Sequence, residues 1–179
     1  MKILVAYATR HGATAGIAVH IAATLTDHGL SAEARPVEEV ERLDGYDAVV
    51  LGGAAYMFHW LKPAVRFARK HHAGLSTRPV WLFSSGPLGT DHVDAEGNNV
   101  LEATRPKEFD ELTELLKPRG EQVFFGAYDP AAAPIGIGER LTRHVPVARD
   151  SFPAGDFREW ETISAWAEQI AADLTSDSP

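Results

Sequence analysis

The chain has 179 residues, 45% of them apolar and 23% charged, with a formal net charge of −8 and no cysteine. This length suits one domain with a substantial core, and the composition is typical of a globular protein. The lack of cysteine excludes disulfides, thiolate catalysis, iron–sulfur ligation and cysteine zinc sites, and we predict no metal site of another kind. The acidic charge also argues against nucleic acid as a partner, because phosphate binding requires a basic surface.

The first predicted element is a strand at Ile3 to Ala8, a short continuous apolar run of the kind covered on both faces of a sheet. The run is far shorter than the roughly 18 residues that a membrane span requires. We therefore predict a cytoplasmic protein with no integral membrane segment. Ile17, Ile21 and Leu25 then recur at four-residue intervals, which predicts a helix that Gly29 ends.

Strands and helices continue to alternate along the chain. Further strands are predicted at residues 31–37, 46–52, 79–84 and 122–127. Helices are predicted around residues 61–72, 109–116 and 160–174, the last with Asp156 and Glu159 as a capping pair. This alternation is typical of a parallel sheet with right-handed crossovers, so we predict one α/β domain over residues 1–175. Ligands of such sheets bind at the carboxyl ends of the strands.

One connection is longer than a strand-to-helix loop usually is, at about residues 128–155, and is rich in Ala, Pro and Gly. We interpret it as an insertion before the last helix. It contains a small basic cluster of Arg140, Arg143, His144 and Arg149. This cluster can guide an anionic substrate or a redox partner, or the insertion can be a solvated lid.

The loop after the first strand is the first candidate site. It reads Thr9-Arg10-His11-Gly12-Ala13-Thr14 and opens a helix, whose N-terminal amides and dipole favour a phosphate. Gly12 allows close backbone approach, the Thr9 and Thr14 hydroxyls can donate, and Arg10 can add a cation. The alternative is an ordinary strand–turn–helix with a threonine cap. The loop matches neither the P-loop nor the glycine-rich dinucleotide motif.

The pattern Thr9-x-x-Gly12-x-Thr14 resembles the FMN phosphate loop of flavodoxins, with His11 at a position where they usually have threonine. The stretch from Ala8 to Gly12 is more similar to the loop of flavodoxin-like, menaquinone-dependent protoporphyrinogen oxidases. The similarity continues at Tyr46-Asp47-x-Val49-Val50-x-Gly52, His59, Phe67 to His71 and Trp160-Glu161. The resemblance implies a doubly wound, three-layer α/β fold with a five-stranded parallel sheet in the order 2-1-3-4-5, and FMN as cofactor.

Two later loops complete the expected flavin site. After the third strand, Ala54 and Ala55 allow close approach, and Tyr56 and Met57 offer packing surface to the ring. The alternative is that the aromatic residues of this loop, Phe58 and Trp60 among them, fill the core. After the fourth strand, Ser85, Gly86, Pro87 and Leu88 suit hydrogen bonding to the pyrimidine edge of the flavin, or form an ordinary Gly-Pro turn.

The sequence thus predicts an FMN-dependent oxidoreductase or electron-transfer protein. The resemblance implies a porphyrinogen-like substrate, and the expected partner is a redox protein or a small-molecule or quinone electron acceptor. The alternatives are a non-enzymatic flavodoxin-type carrier and a binding module that has lost FMN. We assign no catalytic residue. His11 and His59 can act as acid or base near the flavin, or be polar loop residues.

Overall fold

All of the predicted apolar runs form strands in the computed structural model, which describes residues 1–129 and 153–176. The strands are β1 (Lys2–Ala8), β2 (Ser31–Pro36), β3 (Ala48–Tyr56), β4 (His59–Trp60), β5 (Val80–Ser85), β6 (Gly120–Phe124), β7 (Ala127–Tyr128) and β8 (Gly155–Asp156). The helices are α1 (Ala13–Asp27), α2 (Lys62–Lys70), α3 (His72–Leu75), α4 (Val100–Ala103), α5 (Glu108–Leu116) and α6 (Trp160–Ser176), with a 3₁₀ turn at Val37–Glu39.

The sheet has the order β2-β1-β3-β5-β6, and each of these neighbouring pairs is parallel. Since β5 and β6 are its fourth and fifth parallel strands, the predicted order 2-1-3-4-5 is confirmed. The strand count differs because β4 folds back antiparallel on β3, and β7 and β8 form a separate antiparallel pair. Two-residue strands leave no alternation pattern in a sequence, so these were not predicted.

Helices cover both faces of the sheet, which confirms the three layers. Successive strand residues point to opposite faces. On one face, Leu51 and Leu82 belong to a buried cluster with Phe67 of α2 and Phe109 of α5. On the other face, the buried cluster consists of strand residues with α1 and α6, and it includes Ile3, Val50, Phe83, Ile17, Ile21, Ile163, Trp166 and Ile170.

The predicted capping pair at the last helix is wrong. The first intrahelical bond of α6 runs from the Ile163 amide to the Glu159 carbonyl, so Glu159 occupies the cap position. Asp156 lies in β8 and accepts two hydrogen bonds from the Arg158 guanidinium, at 2.8 and 2.6 Å. A bidentate guanidinium two residues away is a stronger partner for this carboxylate than a single helix amide.

The predicted insertion begins and ends at the β7–β8 ribbon, where Tyr128 pairs with Gly155. Residues 130–152, including the basic cluster Arg140, Arg143, His144 and Arg149, lie outside the described residues. Within residues 1–129 and 153–176, no helix is long and apolar enough to cross a membrane.

Candidate cofactor site

The three predicted loops leave the sheet side by side. In the strand register, Ala8 pairs with Gly53 and Ala54 pairs with Ser85. The loops that follow β1, β3 and β5 therefore start from adjacent positions at the carboxyl edge, where ligands of parallel sheets bind. The fold brings the residues of all three predicted segments to one edge.

The first loop ends at the N-terminus of α1. Gly12 precedes the helix with φ of +85°, a left-handed conformation that favours glycine. The first intrahelical bond joins the Gly16 amide to the Gly12 carbonyl at 3.0 Å, so the amides of Ala13 and Thr14 precede the helical ladder. Among the described residues, no side chain caps the helix at Gly12, and its first turn has no carboxylate. This helix end can accept an anion.

A cleft of about 630 Å³ opens beside this helix end. The loop contributes His11, Gly12 and Ala13 to its lining, while Tyr128, Asp156 and Arg158 line it from the ribbon and the segment before α6. Thr9 braces the turn, because its Oγ1 accepts a hydrogen bond from the Gly12 amide at 3.1 Å. This bond closes the turn between Thr9 and Gly12, and the start of the helix at Ala13 lies beside the open space.

The Thr14 side chain does not have the role that the sequence predicted, which was to donate its hydroxyl to a phosphate. Its side chain is fully buried, and its Oγ1 lies 2.8 Å from Ser85 Oγ, a residue of the third predicted loop. The hydroxyl thus joins the first loop to the third. The part of Thr14 that remains suited to a phosphate is its backbone amide.

Arg10 points toward the second loop. Its guanidinium lies over the Tyr56 ring, 5.0 Å from the ring centroid, a cation–π distance. Arg10 thereby connects the first loop with the second. Within residues 1–129 and 153–176, the arginine that lines the cleft beside Gly12 is Arg158.

The second loop is a tight hairpin between β3 and β4. Met57 and Phe58 have φ of 49° and 64°, left-handed values that are costly for residues other than glycine. Met57 is 88% exposed and Phe58 is about half exposed. Trp60 is buried, and its ring N–H donates to the Gly53 carbonyl at 2.9 Å. Of the aromatic residues whose role the sequence left open, Trp60 fills the core and Phe58 does not.

Glu108 of α5 holds this hairpin in place. Its carboxylate accepts a hydrogen bond from the Trp60 amide at 2.9 Å and lies 2.8 Å from His59 Nδ1. Burial favours the neutral form, but the hydrogen bonds from Trp60 and His59 outweigh it, so the pKa of Glu108 lies below its usual range. The Lys107 amide also donates to the Phe58 carbonyl at 3.0 Å. These bonds offset the strain of the left-handed turn.

The third loop is held by contacts with the second loop and with the segment before α6. A Cβ on Gly86 would lie 2.9 Å from the Ala55 carbonyl oxygen, so the contact between the second and third loops requires glycine there. The Gly126 amide donates to the Pro87 carbonyl at 2.8 Å, and the Phe157 amide donates to the Gly126 carbonyl at 3.0 Å. The segment before α6 therefore supports the third loop as well as the cleft.

Sequence reasoning missed Glu108 and Arg158. Glu108 is 48 or more positions from the hairpin residues that it holds, and no local pattern marks such a contact. For Arg158 the available signal was Asp156, two residues earlier, which can pair with an arginine but was predicted to cap the helix.

A doubly wound sheet with an uncapped helix end and two further loops at its carboxyl edge defines a class of proteins that bind a phosphate-bearing cofactor. The chain belongs to the flavodoxin domain family, whose model matches residues 4–132. This family binds FMN, so the predicted cofactor is confirmed at the level of the family. The described residues fit that cofactor, because the N-terminus of α1 has no side-chain cap and no carboxylate in its first turn, and the two other loops start at the same edge of the sheet.

Comparisons with individual proteins agree with this family. The chain is 31% identical over 86 residues to protoporphyrinogen IX dehydrogenase [quinone] of Escherichia coli K12, a match that covers 47% of the chain and 48% of that protein. The match thus spans about half the length of that relative.

Similar solved structures include a flavodoxin from the domain Archaea, at TM-score 0.60 and 14% identity over 98% of this chain and 99% of that one. Rubredoxin oxygen:oxidoreductase of Desulfovibrio gigas gives TM-score 0.61 and 11% identity, covering 98% of this chain and 36% of that one. These two similarities show the fold.

Proposed function

We propose that the chain is an FMN-dependent oxidoreductase that binds the FMN phosphate at Thr9–Thr14. The flavin ring would lie between residues 54–57 and 85–88. The observation that carries this proposal is the N-terminus of α1, which has no carboxylate in its first turn and borders a cleft at the edge where the other two loops begin.

When bound, FMN supplies the electron-accepting and electron-donating chemistry. The chain's own residues bind and orient it. The amides of Ala13 and Thr14 would hold the phosphate. The close approach of Gly86 to the Ala55 carbonyl would bring two backbones together at the ring, and Tyr56, whose ring lies beside the Arg10 cation, would offer an aromatic face. The Thr14–Ser85 hydrogen bond keeps the phosphate loop and the pyrimidine loop in register.

For the substrate, we propose a porphyrinogen-like compound with a quinone or another small molecule as electron acceptor. The support is the relative that carries this activity in its name, at 31% identity over 86 residues. We also propose one domain over residues 1–175, with an insertion at about 128–155 before the last helix that guides an anionic substrate or a redox partner or forms a solvated lid, and a cytoplasmic location.

A non-enzymatic electron carrier is the second candidate, and the hairpin tip favours it. Met57, at the end of the proposed ring segment 54–57, and Phe58 next to it are exposed apolar residues where a partner protein could approach the flavin edge. A carrier and an enzyme would use the same FMN site, so the difference lies in what reacts with the flavin.

An absorption spectrum of the purified protein tests the cofactor site. We expect flavin bands, or their appearance and a micromolar or lower Kd when FMN is titrated into protein purified without it. Protein with neither bound flavin nor FMN binding at micromolar concentration would overturn the proposal and favour the FMN-less binding module.

A second experiment separates enzyme from carrier. Protoporphyrinogen IX is added anaerobically to the FMN-loaded protein, and flavin bleaching is followed before and after a quinone is supplied. Bleaching by the porphyrinogen and recovery with the quinone support the enzyme. A flavin that is inert to the porphyrinogen but is reduced by a flavodoxin reductase supports the carrier.

A further inference from the structure

Arg158 is held on three sides at the edge of the cleft. Its Nε and Nη2 donate to the Asp156 carboxylate at 2.8 and 2.6 Å. Its guanidinium lies over the Trp160 ring, 4.5 Å from the centroid. Its Nη1 is 3.3 Å from the Ala13 carbonyl oxygen, and only 17% of the side chain is exposed. The orientation of this guanidinium is therefore set before any ligand binds.

The position of this cation is unusual for a helix end. The N-terminus of α1 carries the positive end of the helix dipole, so a second positive group beside it is unfavourable by itself. Asp156, which also lines the cleft, offsets part of that repulsion through its two hydrogen bonds with the guanidinium. Nη1 makes no bond to Asp156 and donates to the Ala13 carbonyl. A guanidinium Nη carries two N–H groups, so Nη1 keeps one further donor, and Arg158 lines the cleft.

Gly16 makes room for this arrangement. A Cβ at Gly16 would collide with Arg158 Nη1, so the guanidinium can lie against the first turn of α1 only because residue 16 has no side chain. The chain thus keeps a cation against the first turn of α1, the helix whose N-terminal amides are suited to an anion. Both features act on the same ligand if that ligand is negatively charged.

We propose that Arg158 is a cofactor-binding residue that makes the site selective for flavins bearing a phosphate. Its Nη1 would donate to a phosphate oxygen of FMN, alongside the amides of Ala13 and Thr14. Riboflavin, which has the same ring and no phosphate, would gain nothing from Arg158. This inference rests on the proposed placement of the FMN phosphate at Thr9–Thr14.

A purely structural role is the competing explanation, because Arg158 also ties the segment before α6 to α1. Loss of that tie would loosen the whole cofactor site and weaken riboflavin and FMN together. Loss of a phosphate partner would weaken FMN alone. The ratio of the two affinities therefore distinguishes the roles.

The experiment measures Kd for FMN and for riboflavin, by quenching of flavin fluorescence, in the full chain and in Arg158→Gln and Arg158→Lys. We expect R158Q to raise the Kd for FMN roughly tenfold or more, as for loss of one charge-assisted hydrogen bond. Riboflavin binding should stay within about twofold of the original. R158K should fall between, because lysine keeps the charge but cannot make the two-pronged bond to Asp156.

Arg69→Gln is the matched control, since Arg69 is an arginine that pairs with Glu111 on the surface away from the cleft. Its FMN and riboflavin affinities should not change. If R158Q does not fold, R158K carries the test, because a loss confined to FMN supports the proposal and an equal loss for both flavins overturns it. An unchanged FMN affinity in R158Q also overturns the proposal for Arg158. If the unsubstituted protein binds neither flavin, the proposed function is overturned instead.

Discussion

The two ends of the cofactor site are built in opposite ways. At the phosphate end, backbone amides, a buried Thr14–Ser85 bond and a triply held Arg158 form a rigid surface. At the ring end, two residues other than glycine adopt left-handed conformations at an exposed hairpin tip. In the proposed function, the first end would bind the charged phosphate with groups already in position. The second holds strain that a few bonds from α5 must offset.

This difference teaches where each property of the site originates. The proposed selectivity for a phosphate-bearing flavin depends on the start of α1 and on Arg158 beside it. Stability of the ring end depends on residues remote in sequence, above all Glu108. Changes at one end should therefore alter different measurements from changes at the other.

Ala13→Glu should have the largest effect. Ala13 lines the cleft at the first position of α1, so a carboxylate there would repel the phosphate and raise the Kd for FMN by at least about a hundredfold. The same carboxylate favours the helix dipole, so the protein should unfold at the same temperature or higher. Titration with FMN and a thermal melt measure the two effects.

Ala13→Gln is the matched control for that prediction, because it has nearly the same shape without the charge. It should retain most of the FMN affinity. Comparable losses in both variants would mean that bulk, and not charge, governs binding at the phosphate end.

Glu108→Gln should have the next largest effect, and at the other end. Removing the charge weakens the bonds to His59 and the Trp60 amide, so the free energy of unfolding should fall by about 1.5 kcal/mol. FMN and riboflavin affinities should fall by the same factor, because the ring loops are common to both. Denaturant unfolding measures the stability, with Glu111→Gln as a control at an exposed ion pair that contributes little.

The same variant predicts a pH dependence. Because the folded pKa of Glu108 is lowered, its contribution to stability is fully present above its unfolded pKa and is lost as pH falls through the folded value. The stability gap between E108Q and the original chain should be widest near neutral pH and shrink below about pH 4. A gap that stays constant down to acidic pH would contradict the assigned role.

Met57→Asn should have the smallest effect, a gain of about 0.5 kcal/mol in the free energy of unfolding. Asparagine tolerates the left-handed region better than methionine, and the exposed Met57 side chain loses little by removal. Met57→Ala removes the same side chain without relieving the strain, so it should not stabilise the protein. Equal melting temperatures for the two variants would show that the hairpin tip is unstrained.

Most of the fold could be predicted from the sequence, because buried parallel strands and amphipathic helices leave continuous or periodic apolar patterns. Ile3 to Ala8 and the Ile17–Ile21–Leu25 spacing are examples, and the structure has β1 and α1 there. The short strands β4, β7 and β8 leave no such pattern. They form because Glu108 and the Gly126 bonds fix their ends.

In the candidate site, likewise, some features could be predicted from the sequence and others could not. The three loops could be located because each follows a strand, and a resemblance supplied the cofactor. The direction of individual side chains could not be predicted. The Thr14 hydroxyl pairs with Ser85, and the Arg10 guanidinium lies over the Tyr56 ring. Among the described residues, the arginine at the cleft is Arg158, which is far from the first loop in the sequence and was not predicted.

The contact between Arg158 and Ala13 also has a consequence for how the protein is made. The two residues are 145 positions apart, and a ribosome completes the first long before the second. During synthesis the helix amides at Ala13 and Thr14 can form early, but their cationic neighbour arrives only when the segment before α6 docks. If Arg158 binds the phosphate as proposed, full-strength capture of the cofactor would come only after residue 158 has been synthesised and its segment has docked.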